Sequence, residues 1–507
     1  MALLPDFTNP RVTSLRSAPG ARAAERLDAL LVVAPLSAPS AAFDRLPEAA
    51  RWRALHARAP AKAGSVRTTT LANARQTLAV LGYAADGATP FEHLNLAGRM
   101  LKEAAGRASE RIALTSVSGA AAAAAQTEAL LAASLAQAFA LPNFQSARPR
   151  KPRRITDIAL VAGRGAAPDL RYAQASARGT NLARWLTALP ANRLDARSYR
   201  GAIAELARAR GLSMRWIGEP ALRRLGAGAF LAVSAGNATR TAGIAHLRYR
   251  PPRRSSTRAD VALIGKGILF DTGGNNLKAH RGMLDMHIDM SGSAVALATL
   301  LALAELRAPI AADCWLAITE NRIGPTAYRP QDVVRAANGV TIQVIHTDAE
   351  GRMVLADTLA LAGRTRPRFM LDFATLTGAC LYALTERMSG VFTNTPQLAP
   401  LLVAAGETSG ERVWNFPMDQ DYDTDLESRS ADIVQCSSDG KGDHILAARF
   451  LRRFVPAGTP WVHVDLASAL RSGGLGHITT DITGFGVRFA LELLLRKRVL
   501  DELGRGP

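Results

Sequence analysis

The chain has 507 residues, too many for one small core, so two or more domains are expected. With 48% of its residues hydrophobic it can bury extensive surface, which excludes global disorder. The formal net charge of +19 leaves nucleic acid or anionic lipid open as partners, but the arginines that carry most of it are spread along the chain without a reading module.

Taken in chain order, Arg11, Arg16 and Arg22 give the start a faint organelle-address character without an amphipathic period. The run LDALLVVAP follows at once and predicts a strand, as do RTTTLA, RIALTSV and ITDIALVA. Helical spacing covers Phe91 to Arg107 and Ala120 to Phe139. A small α/β domain over residues 1–165 is the expectation. The basic, proline-containing stretch Ser146 to Arg154, which holds the run ARPRKPRR, is expected as an exposed loop or the start of a linker. Asp169 to Leu189 reads as a connecting helix that ends at Pro190.

Residues 166–507 form the second expected domain. Helix Ser198 to Arg210 and strand LSMRWIG precede the β runs IAHLRYR, DVALIG, CWLAITE, TIQVIHT, RFMLDFA and WVHVDLA. Helices Ser291 to Leu306, Met353 to Ala362 and His444 to Phe454 interrupt them. The alternation predicts a central, mostly parallel or mixed sheet flanked by helices, and the class is α/β. The apolar segments Ser118 to Leu141 and Ser291 to Ala304 read as soluble and core helices, so no membrane partner is expected. Cys314, Cys380 and Cys436 have neither CxxC nor framework spacing, which suits a reducing, cytoplasmic setting.

The chemistry concentrates in Ile264 to Gly292 and His346 to Arg352. Together these stretches hold Lys266, Asp271, Lys278, Asp289, Asp348, Glu350 and Arg352. Four carboxylates in one dry site repel, and divalent cations would resolve the conflict; a two-metal hydrolytic centre is the reading. Asp348, Glu350 and Arg352 stand at every second position, so an extended segment would project all three to one side. Asp271 precedes Gly273 and Gly274, which permit a tight turn, and Asp289 precedes an apolar helix whose dipole favours a carboxylate. Several of these residues follow predicted strands, where open α/β sheets gather ligands. His287, His346 and His444 lack zinc spacing and read as supporting or structural.

At these residues the chain closely resembles the leucyl aminopeptidase family of metallopeptidases. The resemblance lies in GKGILFDTGGNNLK, MHIDMSGSA, ENRIGPTAYRPQDVV, HTDAEGRMVLADTLA and DFATLTGA, and it spans about residues 175 to 490. It implies a metal-dependent aminopeptidase that hydrolyses the amino-terminal bond of short peptides with a metal-activated water. Two divalent ions per subunit are implied: zinc, with manganese, magnesium or cobalt as alternatives in the exchangeable site. Lys266, Asp271, Asp289 and Glu350 would form the tighter site; Asp271, Asp348 and Glu350 would form the looser one. Lys278 and Arg352 would be catalytic without ligating, with bicarbonate held on Arg352. Thr375, Leu376 and Gly378 would line the substrate cleft and Met286 an apolar pocket. A homohexamer is implied as well. His346, Asn275 and Asn276 depart from the usual pattern, which leaves residue preference open. The competing readings are a DNA-binding or structural protein on the same scaffold, and a dipeptidase for substrates such as cysteinyl-glycine.

Overall fold

The computed structural model describes residues 3–7, 9–58, 60–107, 109–146, 154–161, 168–252 and 258–504. All of ARPRKPRR but its last residue, and the expected boundary at residue 165, lie outside them.

Six strands make the first sheet: β1 (Arg11–Leu15), β2 (Ala29–Pro35), β3 (Val66–Thr70), β4 (Leu78–Ala84), β5 (Arg111–Ser116) and β6 (Asp157–Val161). Their order is β1-β6-β5-β2-β4-β3, parallel throughout except for the β3 edge. In β2, successive residues Leu30, Leu31, Val32 and Val33 are all buried, because alternate side chains enter apolar clusters on opposite faces of the sheet. The helix Pro90–Gly106 that covers one face starts at a reciprocal cap between Thr89 and Glu92, with Pro90 in its first turn.

The larger sheet has eight strands. Four come early: β7 (Ser213–Gly218), β8 (Gly243–Tyr249), β9 (Val261–Asp271) and β10 (Ala312–Asn321). A small sheet of β11 (Val333–Arg335), β12 (Thr341–Gln343) and β16 (Ile433–Val434) intervenes. The large sheet is completed by β13 (Phe369–Ala374), β14 (Ser389–Thr393), β15 (Val413–Asn415) and β17 (Trp461–Asp465), in the order β15-β14-β17-β13-β9-β10-β8-β7. It is mixed: β17, β13, β9 and β10 run parallel at the centre, and antiparallel pairs lie toward both edges. Separate apolar clusters cover its two faces. This is the α/β architecture expected, and it leaves the carboxyl ends of the four central strands side by side.

Three local expectations are corrected. TIQVIHT is not a strand of the main sheet; only Thr341–Gln343 is extended, and it pairs with β11 and β16. Asp348, Glu350 and Arg352 do not share an extended segment, because the helix Glu350–Gly363 begins at Glu350 and turns the backbone there. Lys266 does not follow its strand: β9 runs on through Asp271, so the lysine lies inside it and its side chain is buried.

Helix Leu170–Thr187, expected as a connector, is an embedded wall. Asp169 caps it by accepting from Tyr172 N, and Asn181 Nδ2 donates to Leu135 O in the preceding helix Ala120–Gln137. It packs along helix Ser291–Leu306 through a mostly apolar face, and Arg178 pairs with Glu305 across the contact. Met286–Leu306 is the one stretch among the described residues long and apolar enough to cross a membrane, and most of it is buried here.

The start of helix Ser291–Leu306 presses on the centre of the sheet at Gly292, where a Cβ would collide with Phe373 O of β13. Gly292→Ala must therefore move backbone. The expected cost is about 1–3 kcal/mol, checked as a lower thermal or denaturant midpoint of the purified variant.

Candidate functional site

The close approach at Gly292 sets the first half of the site. Asp289 lies in a 3₁₀ turn, Met286–Met290, directly before the helix, and this turn packs against β9. Lys266 Nζ meets Asp289 Oδ1 at 2.7 Å, Glu350 Oε1 at 2.9 Å and Thr375 O at 2.8 Å. Thr375 Oγ1 also donates to Asp289 Oδ1, at 2.7 Å. One buried ammonium thus joins the middle of β9 and the loop after β13 to the 3₁₀ turn Met286–Met290 and the first turn of helix Glu350–Gly363.

The second half is built on the turn after β9. Gly273 and Gly274 both take positive φ, 86° and 65°, as the turn requires. Asp271 Oδ1 accepts from Gly273 N at 2.9 Å and from Asn321 Nδ2 at 2.8 Å, while Oδ2 faces Lys278 Nζ at 2.9 Å. Lys278 Nζ also meets Asp348 Oδ1 at 2.6 Å. Asn276 clamps the two motif loops: its N donates to Thr347 Oγ1 at 2.8 Å and its Oδ1 accepts from Thr347 N at 2.9 Å. That is the physical use of an asparagine that departs from the usual pattern.

Carboxylate oxygens of Asp271, Asp348 and Glu350 lie within 4.8 Å of one another. Burial, with the charges of Asp271 and Glu350 added, pushes the Asp348 carboxyl up to about 7. Burial likewise raises Glu350, with Asp271 adding, and holds Asp289 well above the carboxylate range against the pull of Lys266. Burial disfavours the charge on Lys266, but Asp289, Glu350 and Asp271 outweigh it and hold the amine above its ordinary value. The same balance, led by Asp271, raises Lys278. Four acids therefore face two ammoniums, and the remaining repulsion shows as the raised carboxyls. Asp289 Oδ2 and Glu350 Oε2 are buried with no hydrogen-bond partner. Unpaired acceptors at converging carboxylates are what an oxygen-binding divalent cation would satisfy, so these residues fit such an ion.

Ten of the eleven residues singled out from sequence line one cleft of about 590 Å³: Lys266, Asp271, Lys278, Met286, Asp289, Asp348, Glu350, Thr375, Leu376 and Gly378. Its other walls include Leu381, Leu466, Ala469 and Leu470, which are apolar, with Glu386 and Arg471. Arg352 is the exception. It is buried beside the cleft, and its Nη2 donates to both carboxylate oxygens of Asp443, at 2.8 and 2.7 Å. Of the histidines, His346 Nδ1 accepts from Asp348 N at 3.3 Å and His444 packs edge-on against Phe416.

Sequence reasoning missed Asp465, Asn321 and Asp443. Asp465 closes β17 and accepts from Leu376 N at 3.1 Å and Thr377 Oγ1 at 2.6 Å, which fixes the loop carrying Thr375 to Gly378. Asn321 closes β10 and holds Asp271. Both stand at carboxyl ends of strands beside β9 and β13, the one signal that would have found them.

Comparison with known proteins agrees with this geometry. The model of the cytosol aminopeptidase family catalytic domain matches residues 181–491. A probable cytosol aminopeptidase of Synechococcus sp. (strain CC9605) is 39% identical over 368 residues, 71% of this chain and 74% of that protein. One from Syntrophotalea carbinolica is 40% identical over 340 residues, 66% of this chain and 67% of that protein. Among solved structures, the bottromycin maturation enzyme BotP in complex with Mn superposes with a TM-score of 0.79 at 30% identity, covering 93% of this chain and 99% of that one. With more than half of its length matched and its acids gathered at the ends of the central strands, the chain belongs to the cytosol aminopeptidase family of metal-dependent hydrolases.

Proposed function

We propose that the protein is an aminopeptidase that works with two divalent ions, releasing the amino-terminal residue of short peptides. The observation that carries this reading is the oxygen cluster of Asp271, Asp348 and Glu350 beside the unpartnered, buried oxygens of Asp289 and Glu350. Lys266, Asp271, Asp289 and Glu350 would hold one ion, and Asp271, Asp348 and Glu350 the other. Bound there, divalent ions would supply Lewis acidity and lower the pKa of water. An oxygen-rich set suits hard or borderline ions, and the Mn in the similar BotP complex supports manganese beside zinc, magnesium and cobalt. Lys266 must give up its proton on loading, since an ammonium has no lone pair to offer.

The chain's own groups then divide the work. Asp289 stands close to where the substrate's free amino terminus would bind. Lys278 lines the cleft as an ammonium and donates to the scissile carbonyl oxygen as negative charge grows on it. Thr375, Leu376 and Gly378 border the peptide, held in place through Asp465, and Met286 with Leu466 and Leu470 offers an apolar seat for the first side chain.

Chelation tests the reading. Dialysis against a chelator should take release of the amino-terminal residue from an aminoacyl anilide to background, with activity returning on addition of manganese or zinc. Amino-terminally acetylated substrates should resist the loaded enzyme. Full turnover by protein shown to be metal-free, or cleavage of acetylated substrate, would overturn it.

A further inference from the structure

The bicarbonate expected on Arg352 does not fit this chain. Arg352 is 2% exposed, in the first turn of helix Glu350–Gly363. Its Nη1 donates to Gln435 O at 3.2 Å, and its Nη2 is taken by both oxygens of Asp443. Asp443 opens the helix Asp443–Arg452, where the free backbone N–H groups favour a negative charge. That helix packs on Glu350–Gly363 and buries Ile445, Leu446, Ala447 and Phe450, so the carboxylate is delivered by a rigid element. An anion from solution would be the second negative charge on one buried guanidinium, beside an acid already in contact with it and close to Glu350.

We propose that Asp443 is a built-in anion. It occupies the seat on Arg352 that the resemblance assigns to bicarbonate, and it makes the reaction independent of that ion. Asp443 is a positioning residue: it neutralises Arg352 and orients it behind the cleft. The inference rests on the aminopeptidase reading for its kinetic consequence, whereas its binding consequence needs no turnover.

The experiment uses the metal-loaded full-length enzyme in buffer freed of carbon dioxide, with and without millimolar bicarbonate. Wild-type turnover and thermal midpoint should not respond to the anion. Asp443→Gly empties the seat; turnover should fall by about 10²-fold, and bicarbonate should restore it in a saturable way and raise the thermal midpoint. Rescue of this kind separates the proposal from a merely structural ion pair. Stimulation or stabilisation of the wild type by bicarbonate would overturn the proposal, as would an Asp443→Gly enzyme that does not respond. The wild-type arm decides the matter alone where the variant does not fold, and its thermal readout stands even where the enzyme proves inactive on peptides.

Discussion

Glu350→Ala is expected to lower kcat/KM on an aminoacyl anilide by about 10³-fold or more, on the order of 4 kcal/mol of transition-state stabilisation. Glu350 is where the two halves of the site meet. Oε1 bonds Lys266, which also holds Asp289, and the same carboxylate lies within the oxygen cluster of Asp271 and Asp348. No other carboxylate among the described residues is shared in this way by the Lys266 pair and that cluster. Metal content per protein should fall with activity, measured by elemental analysis after dialysis. The fold should survive, because in the metal-free protein this buried acid is held above its ordinary pKa by burial and by Asp271. Removing it relieves repulsion as it breaks a pair, as expected for a residue kept for activity at the expense of stability. Glu350→Gln preserves the volume and should lose activity similarly. Wild-type turnover with full metal occupancy in either variant would remove Glu350 from the site.

The location of the chemistry was legible because electrostatics constrains it. Four acids cannot share a dry pocket without cations, whatever the backbone does between them. The large sheet was legible as well, through the apolar runs that became β8, β9, β10, β13 and β17. The local backbone was harder to read. β4, LAVLGYA, was overlooked: like β2 it is buried without alternation, but Gly82 interrupts its apolar run. Lys266 looked like a residue beyond the end of a strand, since a lysine within a buried central strand is tolerated only where acids such as Asp289 and Glu350 meet it. Those acids arrive from other parts of the chain. Glu350 and Arg352 were placed in an extended stretch because an every-second-residue spacing is also compatible with the first turn of a helix, where no longer period yet shows. Asp443 and Asp465 lie about ninety residues from the groups they hold, a relation that no local pattern reports.

Lys278→Met should separate holding an ion from using it. Methionine keeps most of the aliphatic stem and removes the ammonium, which sits at 2.9 Å from Asp271 and 2.6 Å from Asp348 in the cleft wall. Lys278 is partly open to solvent whereas Lys266 is sealed among its partners, so the two amines are suited to different work. If Lys278 stabilises negative charge on the reacting carbonyl, kcat should fall by about 10²–10³-fold with little change in KM, the signature of an interaction made in the transition state. Metal content should remain near that of the wild type. It should even tighten, because the ammonium competes with a cation for the oxygens of Asp271 and Asp348. A loss of metal in step with the loss of turnover would make Lys278 an organiser of the acids instead, and an unchanged kcat would deny it any part in the reaction. Lys278→Arg sharpens the distinction: it restores the charge but spreads it over a planar fork with a different reach, so charge alone predicts rescue whereas a positioned donor predicts little.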